Sequence, residues 1–215
     1  MIDTRESALV MPLVLSKSGS HQEAISAVAL AALEAYRSSS EDNAIWDKWL
    51  NEGDGGKTVR RANDKDFAKA ASRTDVLAST KVGEAKALAF TPVPYTEMDS
   101  AIRRLQVGGT EFERRERFHD PDALTIVLNA DLGMSTGKSA AQAAHALLAW
   151  WDLASPRDRD DWVEGGHRVN VVEVASSIFQ RLSLSLTPDA IIHDAGHTEI
   201  ESGSMTAFVA DASSL

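Results

Sequence analysis

The residues with the most chemical promise lie in one stretch, LTIVLNADLGMSTGKSAAQAAHALLAWW, from Leu124 to Trp151. Leu124 to Leu128 is an apolar run rich in β-branched residues and predicts a buried strand. A polar, glycine-containing loop follows from Asp131 to Gly137, and Lys138 opens a segment so rich in alanine that propensity alone favours a helix. A helix start presents unpaired N–H groups and about half a positive charge. Lys138 adds a whole charge there, and Gly137 lets an oxyanion or phosphate approach the backbone. A lysine at this place opposes the helix dipole, so stability alone does not explain it. A nucleotide-binding P-loop needs G-x-x-x-x-G-K-[ST]. Gly133 to Gly137 is one residue short of that, and no later acidic strand end offers a Walker B partner.

Other candidates lie along the same half of the chain. Asp194 follows Ile191-Ile192 at a predicted strand end, where sites on α/β sheets gather. It suits the orientation or general-base activation of a water, or, as a plain turn residue, the capping of local N–H groups. Thr198 and Thr206 are placed to donate to a substrate or to hold Asp194. Gln142 and His145 are three apart on one helix face. His145 lies among alanines, as a satisfied core histidine would, and Met134 reads as packing. Asp131 reads as a residue that shapes the loop. Ser139 and Ser204 lack a nucleophile elbow. His193 and His197, on a strand and turn, would not face one metal. Neither metal nor cofactor is expected.

Two blocks carry a family resemblance. Asp131-Leu132-x-Met134-x-x-Gly137-Lys138-x-Ala140-Ala141-Gln142-x-x-His145-Ala146 resembles the signature of the type II peptidyl-tRNA hydrolases, the archaeal and eukaryotic kind. Asp194-Ala195-Gly196-His197-Thr198-Glu199-Ile200-x-x-Gly203-Ser204-x-Thr206 resembles that family's second motif. The resemblance covers residues 122–212. It implies hydrolysis of the ester joining a peptide to the 3′ ribose of tRNA, with peptidyl-tRNA as partner. The catalytic set it implies is Lys138, Asp194, Thr198, Thr206 and His145, with Asp131, Gly137, Gln142 and His197 against the substrate. His197 stands where the family usually has arginine or lysine, and Thr136 where it is often basic. The last strand ends Phe208-Val209-Ala210-Asp211 and lacks the family's glycine-rich ending. The two lost charges motivate an alternative, a catalytically inactive binding or regulatory protein on the same scaffold.

The elements that must position these residues come in two sets. An ungapped offset of 115 lays Leu9 on Leu124, Leu13 on Leu128, Ser20 on Ser135, Leu33 on Leu148 and Tyr36 on Trp151. With small length adjustments, Trp49 matches Trp162, Gly55-Gly56 matches Gly165-Gly166, and Thr80, Val82, Ala89 and Phe90 match Thr198, Ile200, Ala207 and Phe208. One duplicated unit is expected. It reads strand, long helix, short helical link, strand, helix, strand, strand: near 9–15, 21–36, 43–50, 57–62, 64–72, 75–79 and 85–91, then near 124–130, 137–153, 158–164, 167–174, 175–185, 189–193 and 204–210. Pro12 is expected to confine the first strand to an edge or an irregular form. The expected fold is α/β: two tandem copies of a four-stranded mixed sheet flanked by helices. The units span 1–95 and 122–215, joined by a charged, solvated helical linker at 96–121.

In the first unit Ser16, Gln22, Glu23 and Leu30 stand where Asp131, Gly137, Lys138 and His145 stand in the second, and it is about three residues shorter at the Asp194 stretch. It is therefore expected to be structural, or to bind something else, and the chain to be a monomeric pseudo-dimer. The 215 residues are 43% hydrophobic, enough for one large or two small cores. Cysteine is absent, no apolar run approaches the roughly 18 residues of a membrane span, and no signal peptide is evident, so a cytoplasmic protein without a membrane partner is expected. The net charge is −10. Residues 108–215 hold 17 acidic and 8 basic side chains, against 15 and 14 before them. Bulk charge thus gives no help in binding a polyanion.

Overall fold

The computed structural model describes residues 8–39, 44–52, 55–115, 119–186, 188, 190–196 and 199–211. The first set of elements is β1 (Leu9–Ser16), α1 (His21–Ser38), α2 (Ala44–Asp47), β2 (Lys57–Ala62), α3 (Asp64–Ala71), β3 (Val76–Val82), β4 (Ala85–Phe90), the short β5 (Val93–Pro94) and α4 (Ser100–Arg103). The second is β6 (Leu124–Asn129), α5 (Thr136–Leu153), α6 (Pro156–Glu164), β7 (Val169–Val174), α7 (Ser176–Leu186), β8 (Ile191–His193) and β9 (Met205–Asp211). Each set builds a mixed sheet, ordered β2-β1-β4-β3 and β7-β6-β9-β8, and β5 adds a fifth strand to the first.

Strand register supports the internal match. Leu13 of β1 faces Ala89 of β4, and Leu128 of β6 faces Ala207 of β9, in the places that the internal match pairs once its length adjustment is made. One of the expected matches fails, that of Val82 with Ile200. Thr80 and Val82 lie inside β3, paired with Ala87 and Ala85. Ile200 lies in the loop beyond β8, and Thr198 is outside the described residues.

Pro12 is not on an edge. β1 is a central strand, parallel to β2 and antiparallel to β4. On the β4 side, pairing covers Leu13–Leu15 while β5 covers Leu9 and Val10. Met11 sends its N–H to Gly56 on the β2 side. The missing N–H of Pro12 therefore falls at the junction of β4 and β5, where the ladder asks for no donor.

The two long helices form the middle layer. His21 touches Thr136 at their N-terminal ends, and the Arg37 guanidinium lies over the Trp151 ring near their C-terminal ends. The helices therefore run side by side in one direction. Alanines make the close approach possible: Ala24, Ala27, Ala31 and Ala35 of α1 and Ala140, Ala143, Ala144 and Ala146 of α5 are buried. α1 packs on β3 and β4 of its own sheet and on β7 of the other; α5 packs on β8 and β9 and on β2. One apolar core thus runs through both units, from Met11 to Val209. Smaller clusters seal the outer faces, under α3 and α4 on one side and α7 on the other.

The linker is not the expected solvated helix. After α4 its described residues run without helix across the starts of both long helices. Thr110 is fully buried, and its carbonyl accepts the Gly137 N–H at 3.3 Å. Glu113 O accepts from His21 N–H at 2.9 Å, and Phe112 N–H donates to Thr136 Oγ1 at 3.1 Å. Parallel helices bring two positive dipole ends together, and these carbonyls, with Glu173, offset them. Among the linker's arginines, Arg114 pairs with Glu173 and Arg115 with Glu113. Arg117 lies outside the described residues.

Candidate active site

β6 and β8 run in the same direction, and their carboxyl ends meet the start of α5. Ser135 begins that helix, its hydroxyl accepting the Lys138 N–H at 3.2 Å. Lys138, Gln142 and His145 fall at helical spacing down one face of α5. Asp194 follows β8. Its backbone closes a tight turn, with its N–H on Ser204 O at 3.0 Å and its carbonyl taking the Gly203 N–H at 2.8 Å.

The structure brings Lys138 and Asp194 together, though 56 positions separate them. The lysine amine donates to Asp194 Oδ2, and Gln142 Nε2 donates to the same oxygen at 2.7 Å. Gly196 N–H donates to Oδ1 at 2.8 Å. Thr206, fully buried, donates to Gln142 Oε1 at 2.9 Å or to Ile192 O at 3.0 Å. The carboxylate thus uses three of its roughly four lone-pair sites. Among the described residues, two of the lysine's roughly three N–H donors have no partner. The side chains keep 12% and 4% of their exposure, so the pair sits at the rim of the protein interior.

Other expected site residues lie elsewhere. Asp131 caps α7, accepting the Ser176 N–H at 2.8 Å. Gly137 faces the linker: its N–H is taken by Thr110, and a Cβ there would stand 3.3 Å from the Thr110 side chain. The Gly137 N–H is therefore not free for an anion. Gln142 bridges Asp194 and Thr206 and so acts on the aspartate. His145 lies one turn further on, with Nδ1 3.0 Å from Lys57 Nζ of the first unit. Burial, then the charges of Lys57 and Lys138, hold the imidazole well below the usual histidine range. Burial likewise pushes the Lys57 amine down. Lys57 also bonds Gly55 O at 2.9 Å and lies over the Trp49 ring. His197 and Thr198 are outside the described residues.

Sequence reasoning missed Glu199, whose carboxylate accepts the Ser135 N–H at 3.0 Å and the Ser135 hydroxyl at 2.7 Å. The signal was an acidic residue in the second motif with a serine helix cap to find. It also missed Lys57 and Thr110, which reach the second unit from far along the chain.

The corresponding place in the first unit is filled. β3 and β4 are joined by the two-residue turn Gly83–Glu84, where β8 and β9 are joined by Asp194–Ser204. That turn packs onto the helix start: a Cβ on Gly83 would overlap the Glu23 carboxylate, and one on Gly19 would stand 2.7 Å from Ala85 N.

The comparisons with known proteins match the second half of the chain. The family model described as Peptidyl-tRNA hydrolase PTH2 matches residues 123–212. A peptidyl-tRNA hydrolase of Methanocaldococcus jannaschii is 38% identical over 92 residues, 39% of this chain and 80% of the relative. One of Haloquadratum walsbyi is 38% identical over 86 residues, 38% of this chain and 77% of the relative. A probable peptidyl-tRNA hydrolase 2 of Schizosaccharomyces pombe is 40% identical over 91 residues, 39% of this chain and 44% of the relative. The matches fall on the second unit, which carries the lysine–aspartate pair. Most of the archaeal relative's length is thereby accounted for within β6 to β9, and on that ground the chain belongs to the type II peptidyl-tRNA hydrolase family.

Proposed function

We propose that the second unit hydrolyses the ester between a peptide and the 3′ ribose of tRNA, with Lys138 and Asp194 as its catalytic residues. The observation that carries this reading is the contact between them at the carboxyl ends of β6 and β8. The remaining lone pair of Asp194 receives a water and orients it toward the ester carbonyl. A free N–H of Lys138 meets the carbonyl oxygen as negative charge builds there. The water oxygen bonds to the carbonyl carbon as Asp194 takes one of its protons, the bond to the ribose oxygen breaks, and that oxygen leaves with the proton returned from Asp194. Gln142 and Thr206 hold the aspartate and do not touch substrate. Lys138→Ala should lower turnover of N-acylated aminoacyl-tRNA about a hundred- to a thousandfold while leaving the fold intact. Wild-type turnover in that variant would refute the assignment.

A second reading is a catalytically silent binding protein. It is favoured by the Thr110 carbonyl seated on the helix start and by the net charge of −10. Robust ester cleavage by the pure chain eliminates it.

The domain reading goes with the first proposal. Residues 1–95 stand in for a second copy of the 122–215 unit, with 96–121 as the strap between them. The support is the side-by-side packing of α1 and α5 and the filled cleft of the first unit. Light scattering on the eluting protein should give a monomer near 23.2 kDa. A stable dimer of whole chains would count against a self-contained pair.

A further inference from the structure

The starts of the two long helices differ in one informative way. Both have a serine at the N-cap, Ser20 and Ser135. In α1 the cap is closed within the helix. Glu23 N–H donates to Ser20 Oγ at 3.4 Å, and Ser20 N–H donates to the Glu23 carboxylate at 2.9 Å. That reciprocal arrangement needs an acceptor side chain three residues after the cap. In α5 this position is Lys138, which has donors only. The Ser135 N–H is nonetheless satisfied in the same way, by a glutamate carboxylate at 3.0 Å. The carboxylate belongs to Glu199, from the loop that carries Asp194.

We infer that Glu199 is a positioning residue for the reaction: it supplies from the Asp194 loop the helix-capping carboxylate that Lys138 displaced, and so fixes that loop against α5. The inference rests on the proposed hydrolase role of Lys138 and Asp194. The loop is gripped at two places on one helix. Asp194 is held by Lys138 and Gln142, and five residues on, Glu199 holds both the N–H and the hydroxyl of Ser135. Between the grips, the Asp194 carboxylate accepts the Gly196 N–H. Releasing the second grip leaves the aspartate to its own contacts and widens the range of positions from which it can present a water. A loss of about an ångström in such placement is enough to slow a reaction roughly a hundredfold.

The test uses the full chain and N-acylated aminoacyl-tRNA. Glu199→Ala should lower kcat about ten- to a hundredfold with KM changed by less than about threefold. Amide exchange across 194–204 should quicken in the same variant. Glu199→Gln, which keeps an acceptor for the Ser135 N–H, should restore most of kcat and of the protection. A variant that melts lower but turns over at the wild-type rate would overturn the inference, as would failure of glutamine to rescue. If Glu199→Ala does not fold, Glu199→Asp, one methylene short of both Ser135 groups, should show the same losses in a folded protein. Lys138→Ala is run beside them. If it remains active, the hydrolase reading fails, and the exchange rates across 194–204 still decide whether Glu199 fixes the loop.

Discussion

At the scale of single residues, the site depends on who holds Asp194. Thr206 has one hydroxyl proton and two acceptors within reach, Gln142 Oε1 and Ile192 O. Replacing it with valine leaves a buried amide oxygen without a donor, which costs about 1–3 kcal/mol. Thr206→Val should therefore lower unfolding stability by that amount and slow turnover, and Thr206→Ser should do neither to the same degree. Chemical denaturation and kcat measured side by side check this. A second residue links the units electrostatically. Burial raises the Glu173 carboxyl, but bonds from His21 and Arg114 outweigh that and bring it from 4.5 down to about 2. A depressed carboxylate contributes stability above its unfolded value and loses it as pH falls from about 4.5 to about 2, a contribution of at most about 3 kcal/mol, less whatever solvent screens at this partly exposed group. Acid unfolding should steepen in that window and flatten in Glu173→Gln. Lys138 and Asp194 were legible because their types are out of keeping with mere stability. Lys57 was not, since nothing in β2 marks a lysine that will meet a helix 88 positions away.

At the scale of elements, helices and strands followed their hydrophobic periods closely. The strap did not, because its role is carried by the carbonyls of Thr110 and Glu113, and every residue has a carbonyl. Its charges suggested a solvated helix, yet the starts of α1 and α5 needed acceptors. Pro12 misled for a related reason, since a strand with split neighbours has a rung that needs no donor. The turn between β3 and β4 is the element that distinguishes the first unit. Gly83 has φ +56° and no room for a side chain, while Gly133 has φ +59° and open space around it. Gly133→Ala should cost about 1–2 kcal/mol from backbone strain alone. Gly83→Ala should cost more, because Glu23 must also yield and its cap with Ser20 with it. Urea titrations of the pair would measure how tightly the first unit's cleft is filled, and equal losses would argue that it is not.

At the scale of the whole molecule, α1 supplies the surface that α5 needs. The buried alanine face of α5 packs most extensively on α1. A fragment of residues 119–215 alone should bury it against a second copy, and so elute as a dimer or aggregate. A well-behaved monomer would show that α1 is dispensable. The duplication was legible in the 115-residue offset, and the direction of packing was not, because the offset says which residues correspond and nothing about how they meet.

The filled turn at Gly83–Glu84 has a bearing on kinetics. An assembly of two equivalent halves has two places to be occupied, and occupancy of one can influence the other. On the proposed hydrolase reading, with the turn of the first unit packed on its own helix start, saturation should be hyperbolic with one binding event per chain, and two events in a titration would show that the first unit still takes a ligand.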